Sequence, residues 1–279
     1  MKVLFIITAL FAFSAHARVL EERIESVDLG KGAQEALIFL ESGEVIYTHD
    51  RELVATEALP GSRVRIDIDN KHNLKAISSL PDEEVPDESE APFTESLAPT
   101  VLDNYDAAYK IFRGMNTSWY NESECTDRAQ VWTYEDWKRR GLISQKIFMF
   151  FTQTYIRRYR YHWWFHVTPT VLVKKGTNED GSPIIEEMMM DRRYSRGPLG
   201  RKTWSDIFIR SKKSCPVTTY RHYRENKYGE EHCFHVKSAM YYRLPLHVRA
   251  LEDQGRVKTR FSTSEVNFSY RAFRRRNVK

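Results

Sequence analysis

Alternating apolar and polar residues in short stretches mark the N-terminal third of the chain as β-rich. The stretch AQEALIFLESGEVIYT, residues 33–48, predicts two strands around the turn ESGE. Further along, SRVRIDID places Val64, Ile66 and Ile68 on one face of a strand, with charged residues between them. We therefore predict a small β-rich module over residues 18–80.

A helical spacing of apolar side chains replaces this alternation further along the chain. Four large apolar residues recur at helical intervals, namely Leu102, Tyr105, Tyr109 and Phe112. They predict one amphipathic helix. A second helix is predicted from Cys125 to Arg140, because Gly141 is a good stop just beyond its end.

Three aromatic and β-branched segments follow, and each predicts a strand: ISQKIFMFF, YRYHWWFHVTPTVLV and IIEEMMMD. A short helix is predicted at TWSDIFI, where Trp204 and Phe208 are four residues apart. Helices followed by several consecutive strands are typical of an α+β fold with an antiparallel sheet. We assign this pattern to one domain, residues 101–279.

The first 17 residues, MKVLFIITALFAFSAHA, contain a lysine, an apolar run and small residues at Ala15 and Ala17. This pattern is typical of a secretory signal peptide cleaved after Ala17. The apolar run, residues 3–13, is too short to cross a bilayer comfortably. We therefore predict a secreted or periplasmic protein, with residues 1–17 as its signal peptide and no membrane partner.

Charge divides the rest of the chain. Residues 18–100 contain 8 basic and 19 acidic residues, a net charge of −11, whereas residues 101–279 contain 34 and 19, a net charge of +15. Residues 81–100 are acidic and contain several prolines, which predicts an extended linker between the two parts. Oppositely charged surfaces favour docking of one part on the other.

The chain has three cysteines, and an exported protein usually pairs them. We predict that Cys215 and Cys233, 18 residues apart, form a disulfide that closes a hairpin. Cys125 is then left as a packed inert thiol or a reactive one. It begins a predicted helix, where unpaired N–H groups and the helix dipole lower a thiol pKa and can bind an oxyanion. Cys125 is therefore a candidate nucleophile.

A cysteine nucleophile needs a base, and two of the nine histidines lie in the aromatic strand. His162 and His166 share one strand face about 13 Å apart, so only one of them can meet the thiol. We favour His166, which lies deeper in the apolar run. Asp191, at the end of IIEEMMMD, is the candidate that orients the ring. A satisfied core histidine and an exposed turn aspartate are the alternatives.

Two tryptophans are candidate substrate-binding residues. Trp164 is predicted to share the strand face of His166, and Trp132 lies on the helix that Cys125 begins. Both rings have the flat apolar surface that can line a peptide groove. For Trp132, and for Trp163 in the predicted strand before His166, packing in the core is the alternative.

Three short sequence blocks surround Cys125, His166 and Asp191 and are more specific than the single residues: CTDRAQ, WWFHVTP and MDRRYSRGPL. In order and spacing they resemble motifs of the bacterial protein glutaminases, which are secreted protein-glutamine deamidases. The resemblance covers residues 115–210. It implies that Cys125 is the nucleophile, His166 the base and Asp191 the orienting carboxylate. It also implies a papain- and transglutaminase-like core, with the cysteine at a helix N-terminus and the other two on an antiparallel sheet.

The implied reaction is hydrolysis of the side-chain amide of a protein-bound glutamine, through a cysteine thioester, to glutamate and ammonia. Its partners are proteins or peptides with exposed glutamine, and the chemistry requires no metal and no organic cofactor. Members of the family are made as proenzymes. We therefore predict that the acidic N-terminal segment is an intramolecular inhibitor, which blocks activity until the linker is cleaved.

Other functions fit the same residues. A transglutaminase or a cysteine protease would use the same triad with a different acceptor or acyl group. A non-catalytic basic module is a further alternative, because YIRRYRYHWW and YRAFRRRNVK mix arginine with aromatic residues, as phosphate-binding surfaces do. Since export makes nucleic acid a less natural partner, we expect no specific nucleic-acid binding.

Overall fold

The computed structural model describes four stretches of the chain: residues 18–30, 35–81, 98–118 and 123–274. The predicted signal peptide and nearly all of the predicted linker lie outside these residues. The chain divides into two compact units, Met1–Leu40 with Ile46–Glu83, and Glu41–Val45 with Glu84–Lys279.

An antiparallel sheet forms the first unit. Its described elements are β1 (Arg18–Asp28), β2 (Ala36–Leu40), β3 (Val45–Thr48), α1 (Arg51–Glu57), β4 (Arg63–Ile68) and β5 (Leu74–Ser79). The strand order is β3-β2-β1-β4-β5, and β1 pairs antiparallel with both β2 and β4. In β4, Val64, Ile66 and Ile68 are at most 1% exposed, so the predicted alternation of this strand is confirmed.

The second unit contains most of the helices. Its described elements are β6 (Val101–Leu102), α2 (Tyr105–Gly114), α3 (Cys125–Arg140), β7 (Gln145–Phe151), α4 (Gln153–Tyr159), β8 (Phe165–Thr177), β9 (Pro183–Met189), β10 (Leu199–Gly200), α5 (Arg201–Phe208), β11 (Val217–Thr218), α6 (Tyr220–Asn226), β12 (Cys233–Ala239), α7 (Pro245–Gln254) and α8 (Thr263–Arg274). The sheet has the order β10-β9-β8-β7-β12-β11, with β6 added parallel to β8. The pairs among β9, β8, β7 and β12 are antiparallel. The predicted α+β class is confirmed.

Local sequence explains the two helices before the sheet. The side chain of Asn104 accepts a hydrogen bond from the Ala107 N–H and so caps the start of α2. Gly141 ends α3 in the left-handed conformation, with φ of 63°, which glycine adopts without strain. Both bounds of α3 agree with those predicted from the sequence.

Two sequence predictions are corrected by the structure. The strand predicted over YRYHWWFHVTPTVLV begins only at Phe165, because α4 ends at Tyr159 and irregular backbone follows it. The disulfide between Cys215 and Cys233 is present, but it does not close a hairpin. Between these cysteines lie β11, which pairs parallel with β12, and the helix α6.

The core of the second unit lies where α2 and α3 pack on β8 and β9. Its buried members include Phe112, Trp132, Val171 and Met188. In β7, six consecutive residues from Lys146 to Phe151 are buried, which explains why this strand lacks alternation. Among the described residues, no helix combines the length and the apolar character needed to cross a membrane.

Candidate active site

The sheet brings His166 and Asp191 together. His166 is the second residue of β8, and Asp191 comes two residues after the end of the neighbouring strand β9. The Met190 N–H donates to the Pro169 carbonyl, which continues the pairing almost to Asp191. The Nε2 atom of His166 lies 2.7 Å from Oδ2 of Asp191. The pairing of two adjacent strands therefore forms the His–Asp pair predicted from the sequence.

A third side chain completes this pair. The indole Nε1 of Trp204, on α5, donates to Oδ2 of Asp191 at 2.9 Å. Each of these three side chains is at most 2% exposed. Burial raises the pKa of Asp191, but the His166 ring and the two hydrogen bonds outweigh that effect and lower its pKa below the ordinary value. Asp191 is therefore a carboxylate that accepts two hydrogen bonds.

Sequence reasoning missed this role of Trp204. The spacing of Trp204 and Phe208 predicted a helix face, and α5 confirms it. Nothing in that spacing indicates which acceptor the indole N–H meets, because Asp191 lies on a separate element. A buried tryptophan usually needs a partner for its N–H, and that requirement was the available signal.

Cys125 occupies the first position of α3, at 9% exposure. Burial raises the pKa of its thiol to about 12, while Arg128 and a hydrogen bond from the Val167 backbone act in the opposite direction. The prediction that the helix N-terminus lowers this pKa is therefore wrong for the described structure, because the loss of hydration outweighs Arg128 and the Val167 hydrogen bond. The contact with Val167, the residue after His166, brings the sulfur to β8.

Tyr194 connects the thiol with the His–Asp pair. Burial raises the pKa of its hydroxyl, Arg128 opposes the rise, and Cys125 and Asp191 add to it. The Tyr194 ring meets the His166 ring edge-on, with centroids 5.2 Å apart. The structure thus brings all three predicted catalytic residues into one cluster, and Tyr194 is a member that sequence reasoning missed.

Aromatic rings surround the imidazole of His166. Phe208 lies 4.5 Å from it between ring centroids, and Trp163 stacks on it at 6.0 Å. Trp163 and Tyr194 are only partly buried. These two rings therefore form the part of the enclosure that solvent reaches.

The two tryptophans predicted to bind substrate are buried. Trp164 is 4% exposed, and its ring packs against Phe150 and Phe165. Its predicted place beside His166 is wrong, because the irregular backbone before β8 turns Trp163 to that position instead. Trp132 is 2% exposed and donates its indole N–H to the Asn116 carbonyl at 2.8 Å, within the core.

A short segment of the second unit, residues 41–45, runs along the residues that lead to His166. The Val45 N–H donates to the His162 carbonyl at 2.8 Å, and the Trp164 N–H donates to the Gly43 carbonyl at 2.9 Å. These bonds form an antiparallel bridge between Glu44 and Trp163. Gly43 has φ of 100°, and a Cβ there would lie 3.1 Å from the Phe165 ring, so the position favours glycine.

Comparison with known proteins gives two kinds of match. Residues 106–208 match the model of a family described as glutaminase. A crystal structure of pro-protein-glutaminase matches with a TM-score of 0.51 at 13% identity, covering 82% of this chain and 84% of that one. A mutant of pro-protein-glutaminase matches with a TM-score of 0.52 at 12% identity, covering 82% and 85%. No curated protein matches the sequence.

The structural matches concern the fold, whose mixed α and β composition with antiparallel sheets agrees with the described structure. The family match concerns the sequence, and it spans α3, β8 and the loop after β9. It therefore contains Cys125, His166 and Asp191, together with Trp204. Residues 106–208 are therefore similar to a glutaminase family, in agreement with the resemblance of the three sequence blocks.

Proposed function

We propose that this protein hydrolyses the side-chain amide of protein-bound glutamine to glutamate and ammonia. The observation that carries the proposal is the buried His166–Asp191 pair, with Nε2 and Oδ2 2.7 Å apart, beside a free thiol at a helix N-terminus. This arrangement supports our proposal of a papain- and transglutaminase-like core, in which a helix carries the cysteine and an antiparallel sheet carries the histidine.

The reaction has two halves. In the first, the imidazole of His166 takes the proton of Cys125, and the thiolate attacks the amide carbon. Since Asp191 engages Nε2, the Nδ1 atom is the one that exchanges protons with the thiol. Backbone N–H groups at the start of α3 hold the oxyanion. The tetrahedral intermediate then expels ammonia, which receives its proton from His166, and a thioester remains.

Water completes the second half. His166 takes a proton from the water as it attacks the thioester carbon, and Cys125 leaves with that proton restored. The products are glutamate and the free enzyme. Asp191 keeps the imidazole oriented and stabilises its protonated form in both halves. No step requires a metal or an organic cofactor.

The experiment that tests this proposal measures ammonia release from a glutamine-rich protein. We expect ammonia without crosslinks and without chain cleavage, and none from the Cys125→Ala variant. Crosslinked product would indicate a transglutaminase, and shortened chains a protease. A Cys125→Ala variant that keeps the activity of the natural chain would mean that the thiol is not the nucleophile.

We propose further that the N-terminal segment inhibits the enzyme and that export delivers the protein to the cell exterior or periplasm. Two observations support inhibition: the opposite net charges of residues 18–100 and 101–279, and the pairing of residues 41–45 beside His166. The high thiol pKa agrees with a closed, inactive site, because water cannot solvate a thiolate there.

Cleavage within residues 81–100 tests the inhibition. We expect a higher rate of ammonia release and faster alkylation of Cys125 by iodoacetamide at mildly acidic pH, because the thiol becomes accessible. The comparison uses the intact chain, the cleaved chain and a chain of residues 101–279. Equal activity of all three would reject inhibition.

A further inference from the structure

The first turn of α3 carries a buried carboxylate two residues after Cys125. Asp127 is 2% exposed. Its Oδ1 atom accepts hydrogen bonds from Nη2 of Arg243 at 2.8 Å, from Nε of Arg243 at 3.2 Å and from the Ser269 hydroxyl at 3.0 Å. A carboxylate buried this deeply is stable only when charge and hydrogen bonds compensate its lost hydration.

Both partners of Asp127 come from the last part of the chain. Arg243 lies between β12 and α7, and Ser269 lies on α8. The two partners also bind each other, since Nε of Arg243 donates to the Ser269 hydroxyl oxygen at 3.1 Å. The Arg243 guanidinium lies 4.6 Å from the centre of the Phe268 ring. We call Asp127, Arg243 and Ser269 the anchor.

The anchor combines residues from inside and outside the matched family segment. Asp127 is inside residues 106–208, whereas Arg243 and Ser269 lie beyond that segment. Ser269 is completely buried, and the side chain of Arg243 is 13% exposed. The guanidinium therefore has little freedom to rotate, and its planar donors fix the direction of the carboxylate.

We infer that Arg243 and Ser269 are positioning residues for Cys125. They hold the first turn of α3 in the rotation that directs the sulfur toward His166, and this inference rests on the proposed function. Because reacting groups must meet within a fraction of an ångström, a misplacement of about 1 Å costs roughly 10²-fold in rate. A loosened anchor therefore reduces the chemical step more than substrate binding.

General packing of α8 on α3 is the competing explanation, and the chain offers a matched control. The Tyr270 hydroxyl, on the same helix as Ser269, donates to Oε1 of Glu135 at 3.0 Å. That bond joins the same two helices almost three turns from Cys125. If packing alone matters, Tyr270→Phe should reduce activity as much as Ser269→Ala does.

The experiment compares Ser269→Ala, Arg243→Lys and Tyr270→Phe in the full chain cleaved within residues 81–100. For each variant we measure kcat and KM for ammonia release, the rate of Cys125 alkylation by iodoacetamide at pH 6, and the melting temperature. We expect kcat to fall roughly 10-fold in Ser269→Ala and roughly 10²-fold in Arg243→Lys, with KM nearly unchanged. Alkylation slows in parallel, because the thiol no longer meets His166.

Tyr270→Phe should keep the kcat and the alkylation rate of the natural chain even if its melting temperature falls. The inference is overturned if Ser269→Ala and Arg243→Lys keep both rates, or if Tyr270→Phe lowers them equally. If the natural chain releases no ammonia but the two anchor variants still slow alkylation, the proposed function fails and the positioning role stands. Alkylation therefore separates the two claims.

Discussion

Two buried histidines contact the same indole and have opposite surroundings. The rings of His166 and His235 lie 5.7 and 5.8 Å from the ring of Trp204, and both are at most 2% exposed. His166 faces the carboxylate of Asp191, whereas Nε2 of His235 lies 3.0 Å from the Ser205 hydroxyl oxygen. The comparison separates a histidine paired with a carboxylate from one kept neutral.

Burial and nearby charges explain the neutrality of His235. Burial first, and the cations Arg201 and Lys237 to a smaller extent, lower its pKa to about 3. At His166, by contrast, an ionised carboxylate supplies the negative charge that an imidazolium needs. Burial of a histidine is therefore no sign of catalysis by itself, and its partner decides what it can do.

The largest expected effect comes from removing each imidazole in turn. His166→Ala should reduce kcat by about 10⁴-fold or more, because the proposed base is lost. His235→Gln should keep kcat within about tenfold, since that ring stacks on Trp204 and bonds the Ser205 hydroxyl, both on α5. Steady-state ammonia release measures both. Similar losses of kcat in the two variants would show that the different partners of His166 and His235 do not determine which ring acts in the reaction.

Changing the partners should have the next largest effect. Asp191→Asn should lower kcat about 10³-fold, because an amide can stabilise neither the required tautomer nor the imidazolium. Ser205→Ala, the matched change at His235, should alter kcat by about twofold at most, since it removes only the neutral hydrogen bonds of the hydroxyl with His235 and with the Arg201 carbonyl. The assay is again ammonia release. An Asp191→Asn enzyme with full activity would contradict the assigned role of this carboxylate.

The pH dependence of the free energy of unfolding tests the same comparison at His235. The unfolded chain protonates His235 as pH falls through about 6.5, whereas the folded chain resists protonation down to about 3. As pH falls from about 6.5 to about 3, His235 therefore lowers the free energy of unfolding by about 1.4 kcal/mol for each pH unit.

Urea unfolding of the natural chain and of His235→Gln between pH 6 and pH 4 measures this cost. The difference in free energy of unfolding between the two proteins should change by roughly 3 kcal/mol over that range, because the variant lacks the titrating ring. Other ionisable groups are common to both proteins and cancel. Parallel pH curves would mean that His235 titrates normally in the folded chain.

Among the changes at His166 and its partners, the smallest effect is expected at the shared indole. Trp204→Phe removes the N–H that donates to Asp191 and keeps an aromatic ring between α5 and the sheet. The pKa of Asp191 in the folded chain should rise. As pH falls, the stability that this carboxylate contributes is therefore lost at a higher pH than in the natural chain. We expect about a tenfold loss in kcat and a loss of about 1–2 kcal/mol in stability. Trp204→Phe with unchanged kcat would show that His166 alone holds Asp191.

Local patterns predicted much of the second unit. The helix spacing, the aspartate at the end of the strand segment and the glycine stop were enough to assign α3, β7 and β9 and to select Cys125, His166 and Asp191. The face of Trp164 was predicted wrongly, because strand alternation was extended into residues that precede β8. Period-two reasoning holds only while the backbone stays extended.

Interactions between distant residues were beyond that reasoning. The Trp204 indole reaches Asp191 from another element, and Arg243 reaches Asp127 across 116 residues of sequence. The thiol pKa was predicted in the wrong direction because a helix N-terminus is visible in sequence, whereas the depth of burial is not.

The sequence by itself determined α3, β7 and β9, the disulfide partners and the identity of the candidate chemical groups, because these depend on spacing and on residue type. The tertiary structure alone decided which histidine meets a carboxylate, which aromatic ring contacts it and what holds the first turn of α3. The physical reason is that hydration, partner charge and hydrogen-bond geometry depend on neighbours in space, and packing brings those neighbours from distant parts of the chain.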